Sequence, residues 1–369
     1  MSDTKRDPMV PELGLWERAD VQLGKVTILA NVLYAAITGV FRGKSSPKFY
    51  SSHLLATAIR TMVDRLSVRQ SQYMNAPTPA TYKAVMEKRG LQPEIVPLPH
   101  DTEGYWLGNK DANNVLVFFH GGGFTLAATP AHFEFWLDLL KVANENGHDI
   151  AVFFPRYTQS PYGTYPTQLR QATGALRYIL NETGRSPANV VVGGDSAGGN
   201  LAMAVLLHLS HPHPEIDPIS LSTPLAGVFG LAPWVNFTTD WPSFKDNAYK
   251  DLITERALSE WSESYNPGKE NDAWSEPDRA PAEWWADAKT ERILLLAGSD
   301  ELLLSPIESF AKKVKSVFPN TTYIVGSDEA HDIIFYGNPG PEGGTNWQRA
   351  PAVAFVSSVD VVNYMFKLF

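Results

Sequence analysis

The chain has 369 residues, 44% hydrophobic and 19% charged, an ordinary globular composition that excludes a disordered or fibrous protein. Lys and Arg number 31 against 40 Asp and Glu; the resulting net charge of −9 argues against nucleic-acid binding, where a basic face must neutralise phosphates. Cysteine is absent from the sequence, which rules out disulfides, Cys-bearing metal sites and a cysteine nucleophile within it.

The opening stretch MSDTKRDPMVPELG has no apolar run behind its basic residues, so no secretory leader is expected and the chain reads as intracellular and cytoplasmic. The sequons at Asn181, Asn236 and Asn320 are accordingly read as chance matches. Val26 to Phe41 carries no charge and is flanked by Lys25, Arg42 and Lys44. As a helix it would cover about 24 Å, short of the roughly 30 Å hydrocarbon core of a membrane. Thr27, Asn31, Tyr34 and Thr38 fall on one face. The stretch is therefore expected to be an amphipathic lid helix packed on a cap, with peripheral membrane contact as the alternative.

From residue 94 onward short apolar runs alternate with helical segments. Strands are expected at Glu94–Leu98, Gly104–Leu107, Val115–Phe119, Ile150–Phe154, Val190–Gly193, Leu225–Leu231, Ile293–Ala297 and Thr322–Val325. Helices are expected at 131–146, 167–182, 197–210, 305–317 and 349–367. Continuous apolar runs such as VLVFF and ILLLAG suit strands covered on both faces, and the alternation predicts a mostly parallel eight-stranded sheet with helices on both sides. The stretch 234–287 breaks the rhythm. It holds Trp234, Trp241, Trp261, Trp274, Trp284 and Trp285, six of the ten tryptophans, and is read as a cap insertion. The organisation predicted is 1–93 as the N-terminal part of the cap, 94–233 and 288–369 as the core, and 234–287 as the insertion.

Two motifs carry chemistry. Gly194-Asp195-Ser196-Ala197-Gly198 joins the strand NVVVG to the helical run GNLAMAVLLHL. A sharp strand-to-helix turn of this kind lifts a serine hydroxyl clear of a sheet. His120-Gly121-Gly122-Gly123 follows the strand NVLVFF, and chance would produce it only about 0.003 times at this chain's His and Gly content. Its bare amides can serve as donors to an oxyanion, together with the N–H of the residue after the serine. A phosphate nest is the competing reading, but no G-K-[ST] follows to complete it.

HGGG followed by GDSAGGN resembles the hormone-sensitive-lipase-like family of α/β-hydrolases, over most of the chain from about 94. The resemblance implies an α/β-hydrolase fold with a helical cap and a triad in the order serine, aspartate, histidine. It places the acid at Asp300 in AGSDELL and the base at His331 in SDEAHDI, each following a predicted strand. Glu301, Asp328 and Asp332 stand close by as competing carboxylates. The sequence departs from the family at Leu304, where a second acid is common, and in Arg156-Tyr157-Thr158-Gln159-Ser160-Pro161, a loose counterpart of Y-R-L-A-P-E.

The function implied is a serine carboxylic-ester hydrolase acting on a small-molecule ester. Ser196 is expected to be the nucleophile, His331 the base and Asp300 the orienting acid, with an oxyanion hole from Gly121, Gly122 and Ala197. No cofactor, metal or nucleic acid is expected, and a homodimer is a further possibility. The alternatives are thioesterase, acyltransferase or C–C hydrolase chemistry at the same triad, and a non-catalytic receptor such as the plant gibberellin receptors, which lack the catalytic histidine. His208, His211 and His213 form a cluster read as a solvated helix end in preference to a metal site.

Overall fold

The computed structural model describes residues 7–332 and Phe335. The helix expected at 349–367 lies outside the described residues. Eight strands form one sheet: β1 Glu94–Leu98, β2 Thr102–Leu107, β3 Asn114–Phe119, β4 Ile150–Pro155, β5 Val190–Asp195, β6 Gly227–Leu231, β7 Ile293–Gly298 and β8 Thr321–Gly326. They lie in the order β1-β2-β4-β3-β5-β6-β7-β8. The pairs β1–β2 and β2–β4 are antiparallel, and every later pairing is parallel. The fold class expected from the sequence, an α/β-hydrolase fold, is the fold observed.

Strand β3 shows why the apolar runs are continuous. Successive side chains point to opposite faces. Val115, Val117 and Phe119 enter one core with Leu201 and Leu176, from the helices α7 Ser196–Ser210 and α6 Thr167–Arg177, whereas Leu116 and Phe118 enter the other with Phe133 and Trp136 of α5 Pro130–Glu145. Both faces are dry from Val115 onward, so each of those five positions is apolar.

The expected division into cap and core shifts at two places. In the N-terminal region α1 Leu15–Thr38, α2 Tyr50–Arg65 and α3 Val68–Met74 precede α4 Thr78–Lys88, which packs in the core layer and not in a cap. Tyr82 of α4 stacks on Tyr105 of β2 at 4.8 Å, and its hydroxyl donates to the Trp106 carbonyl at 2.8 Å. The Trp-rich stretch holds α8 Pro242–Asp246, α9 Glu255–Tyr265 and α10 Ala282–Ala286. Its two ends are also core: Trp234 N donates to the Ser196 carbonyl at 2.9 Å, and Trp285 packs edge-on against Phe310 of α11 Leu304–Val317. Large aromatic rings are drawn under whichever layer excludes water best, which no linear boundary foresees.

Helix α1 is longer than its charge-free stretch. It runs on through a tight turn at Gly39–Phe41, and Leu15–Phe41, 27 residues, is long and apolar enough by length and composition to cross a membrane. The helix begins eleven residues before Val26, so it does not fall short of a bilayer's thickness as its charge-free stretch alone would. One side of α1 lies along α2, through the Asp20–Arg65 ion pair and a 3.3 Å hydrogen bond from Asn31 Nδ2 to Thr61 Oγ1. The other side leaves Trp16, Val26, Leu33, Ile37 and Phe41 exposed. Helix α2, and not α1, reaches the loops of the site: Ala56 forms a small apolar cluster with Leu252 and Ala330.

Candidate active site

The turn after β5 is built for close approach. Ser196 sits at φ +50°, a left-handed conformation that costs an L-residue energy and persists only where its surroundings enforce it. Gly198 is required beneath it, because a Cβ there would run into the Phe119 carbonyl at the end of β3. Asn200 secures the turn by donating to the Trp234 and Ser275 carbonyls, each at 2.9 Å. Gly121 lies against the serine, such that a Cβ on it would stand 3.0 Å from Ser196 Cβ. Ala197 lies in the first turn of α7, where amides have no intrahelical partner. Of the three residues expected to form the oxyanion hole, Gly121 and Ala197 adjoin Ser196, whereas Gly122 stands at φ +102° with the space at its Cα bounded by Leu126.

His331 arrives from the loop after β8. Its Nε2 stands 2.8 Å from Ser196 Oγ. Its Nδ1 meets Glu301 Oε2 at 3.0 Å. This corrects the expected acid: Asp300 does not face the imidazole. Asp300 turns to the rim, where its Oδ1 pairs with Lys250 Nζ at 3.2 Å, and its backbone N–H is held by the Glu329 carbonyl at 2.9 Å. Glu301 is fully buried and accepts from the Gly298 amide through its other oxygen at 2.9 Å. The turn after β7 sends neighbouring side chains to opposite sides, and the inward one is Glu301.

The site is dry: Ser196 is 4% and His331 3% exposed. Burial pushes the Glu301 carboxyl up to about 8 and the His331 imidazole below its ordinary value, since both charged forms lose solvation. With Glu301 ionised, Nδ1–H donates to it and the Nε2 lone pair faces the serine hydroxyl. With Glu301 protonated, the carboxyl O–H donates to Nδ1 and Nε2 carries the hydrogen instead. Only the first arrangement can accept the serine proton.

Further polar groups surround the imidazole. Asp332, at φ +51°, places Oδ2 3.2 Å from His331 Nε2. Burial, and then the charge of Asp195, pushes the Asp332 carboxyl well above the usual range. Asp195 Oδ2 lies 3.3 Å from His132 Nε2. Thr129 N donates to His132 Nδ1 at 3.1 Å, so Nε2 holds the hydrogen and donates to Asp195. His120 stacks on Tyr157 at 4.5 Å and its Nδ1 contacts the Gly121 carbonyl at 2.8 Å, shaping the glycine loop from behind. Asp328 pairs with Lys48 at 2.6 Å, away from the imidazole.

His208, His211 and His213 do not converge. His208 Nδ1 accepts from the His213 amide at 3.1 Å, His213 Nδ1 accepts from the Glu215 amide at 3.1 Å, and His211 stacks on Trp284 at 4.4 Å. Among the described residues, no group of three His, Asp or Glu side chains is arranged to hold a metal ion.

A family model described as alpha/beta hydrolase fold matches residues 116–335, more than half of the chain. The chain belongs to the α/β-hydrolase fold family. The α/β-hydrolase fold that the hormone-sensitive-lipase-like resemblance implied is thereby borne out. Steryl acetyl hydrolase 1 of Saccharomyces cerevisiae is 29% identical over 215 residues, covering 54% of this chain and 48% of that protein. Carboxylesterase NlhH of Mycobacterium tuberculosis is 28% identical over 162 residues, covering 43% and 47%. The chain thus spans about half the length of these α/β-hydrolase relatives. Among solved structures, an esterase from the bacterial hormone-sensitive lipase family superposes with a TM-score of 0.62 at 20% identity, covering 85% of this chain and 97% of that one. At that identity the likeness is one of fold.

Sequence reasoning held Glu301 and Asp332 as competitors of Asp300 but did not single them out, and it missed Asp251 and His132. Adjacency to the predicted acid was the signal for Glu301. Asp251 offered none, being 80 residues from His331 in sequence.

Proposed function

We propose that this α/β-hydrolase is a serine carboxylic-ester hydrolase, with Ser196 as nucleophile, His331 as general base and acid, and Glu301 as the orienting carboxylate. The observation that carries the reading is the unbroken line from Ser196 Oγ to His331 Nε2 at 2.8 Å and from His331 Nδ1 to Glu301 Oε2 at 3.0 Å. A serine hydroxyl gains nucleophilicity only when such a base takes its proton. Ser196 Oγ attacks the ester carbonyl while His331 receives the proton. The carbonyl oxygen becomes an oxyanion facing the amides of Gly121 and Ala197. Collapse breaks the bond to the alkoxy oxygen, which takes the proton from His331 and leaves as the alcohol. Water, deprotonated by His331, then frees the acid from Ser196. Names of relatives support this chemistry, since one is an acetyl hydrolase and another a carboxylesterase.

A fluorophosphonate should label Ser196 and abolish ester hydrolysis, whereas the Ser196→Ala protein should remain folded, unlabelled and inactive by a factor of about 10⁶. Labelling of the alanine variant would end the assignment.

The exposed side of α1 supports a second element of the reading, peripheral contact with a lipid surface. Val26, Leu29, Leu33, Ile37, Val40 and Phe41 are all more than half exposed, and the end of the helix is followed by Arg42, Lys44 and Lys48. Apolar side chains beside a basic cluster suit the interface of an anionic bilayer, where each group meets its preferred surroundings. Phosphatidylserine vesicles should retain the protein in cosedimentation, less so in high salt, and Leu33→Glu with Ile37→Glu should release it. Dimer formation through this face without vesicle binding would replace the lipid with a second copy of the chain.

A further inference from the structure

The stretch 234–287 reaches the loops that carry Glu301 and His331. Asp251, which follows α8, is fully buried. Its Oδ1 accepts from the His331 amide at 2.9 Å and the Leu252 amide at 2.6 Å, and its Oδ2 accepts from the Leu302 amide at 2.6 Å. Leu302 is the residue after Glu301. One carboxylate therefore grips the backbone of the proposed base and of the residue next to the proposed acid. The same segment reinforces the acid turn, because Asn247 Nδ2 donates to the Ser299 carbonyl at 3.0 Å and the Glu301 carbonyl at 2.9 Å.

We propose that Asp251 is a positioning residue that sets the distance between Glu301 and His331, so that the insertion holds the catalytic loops in register. The inference rests on the triad proposed above. A carboxylate accepting three amide hydrogens is a strong, charge-assisted anchor in a dry site. The loops it joins follow β7 and β8, and Glu301 and His331 come into contact across the ends of those strands. A displacement of about 1 Å at such a pair can cost on the order of 10² in rate.

The charged and titratable groups facing Asp251 come from three directions. Arg60 of α2 donates to the Asp251 carbonyl at 3.3 Å, while Glu301, His331 and Asp332 lie on the loops it grips. Its negative charge favours the protonated form of His331. Asn in its place removes that charge and turns one acceptor into a donor facing an amide N–H.

The test compares the wild type with Asp251→Asn and Asp251→Glu by steady-state kinetics per site titrated with fluorophosphonate, and by NMR titration of ¹⁵N-histidine-labelled protein. Asp251→Asn should lower kcat about 100-fold with KM within about twofold, and should move the His331 titration to lower pH. Asp251→Glu, which keeps the charge at a longer reach, should lower kcat while leaving that titration near its wild-type position; it also serves if the asparagine protein does not fold. A kcat within twofold of wild type per titrated site, or an unmoved His331 titration in Asp251→Asn, overturns the proposal. Failure of the wild type to hydrolyse any ester would instead overturn the functional reading, and the NMR titration would still decide whether Asp251 governs His331.

Discussion

The turns after β5 and β7 reach the same active site by different means. At the first, the deciding constraint is steric: Gly198 must pass the Phe119 carbonyl, and Ser196 is held at φ +50° by the strand and helix on either side of it. At the second, Asp300 and Glu301 are adjacent carboxylates with equal chemical claims, and the choice falls to packing. Asp300 has a lysine at the rim, whereas Glu301 has His331 and the Gly298 amide inside. A steric rule leaves a motif in the sequence, and a packing decision between neighbours does not.

The largest effect that could break this comparison is on the acid. Glu301→Gln should lower kcat by about 10⁴, the size of the loss when a triad carboxylate becomes an amide and fixes the wrong histidine tautomer. Asp300→Asn should cost less than about tenfold, because the partly exposed pair it breaks with Lys250 contributes modestly. The reverse ranking would restore Asp300 and remove the contrast between the two turns.

A smaller effect sharpens it. The proposed reaction needs ionised Glu301 beside neutral His331, and burial holds the Glu301 carboxyl up at about 8 against an ordinary 4.5. The profile of kcat/KM should therefore rise with pH through an acid limb near 8, and Glu301→Gln should lack that limb. The sign for stability is opposite. The folded state holds this proton more tightly than the unfolded chain, so ionising Glu301 costs stability as pH rises from about 4.5 to 8. A limb near 5 would mean that the carboxylate is solvated, contrary to the burial seen here.

Much of the fold was legible in the sequence because its signals are local. Runs such as VLVFF mark strands buried on both faces, and their predicted ends fall within about two residues of the observed ones. GDSAG and HGGG mark places where only glycine allows two backbones to pass. They identified Ser196 and, with the resemblance they carry, His331. The acid was placed one residue away from the side chain that faces the imidazole.

What the sequence determined by itself was therefore the sheet, the proposed nucleophile and the glycine loop beside it, each set by backbone periodicity or by the absence of a Cβ. Tertiary structure alone decided that Glu301 and not Asp300 meets His331, that Asp251 ties the two loops together, and that α4 and Trp285 belong to the core. Those outcomes depend on which side chain faces inward at a turn and on which distant segment covers it. Both are fixed by the exclusion of water from groups far apart along the chain, and no short stretch of sequence records that.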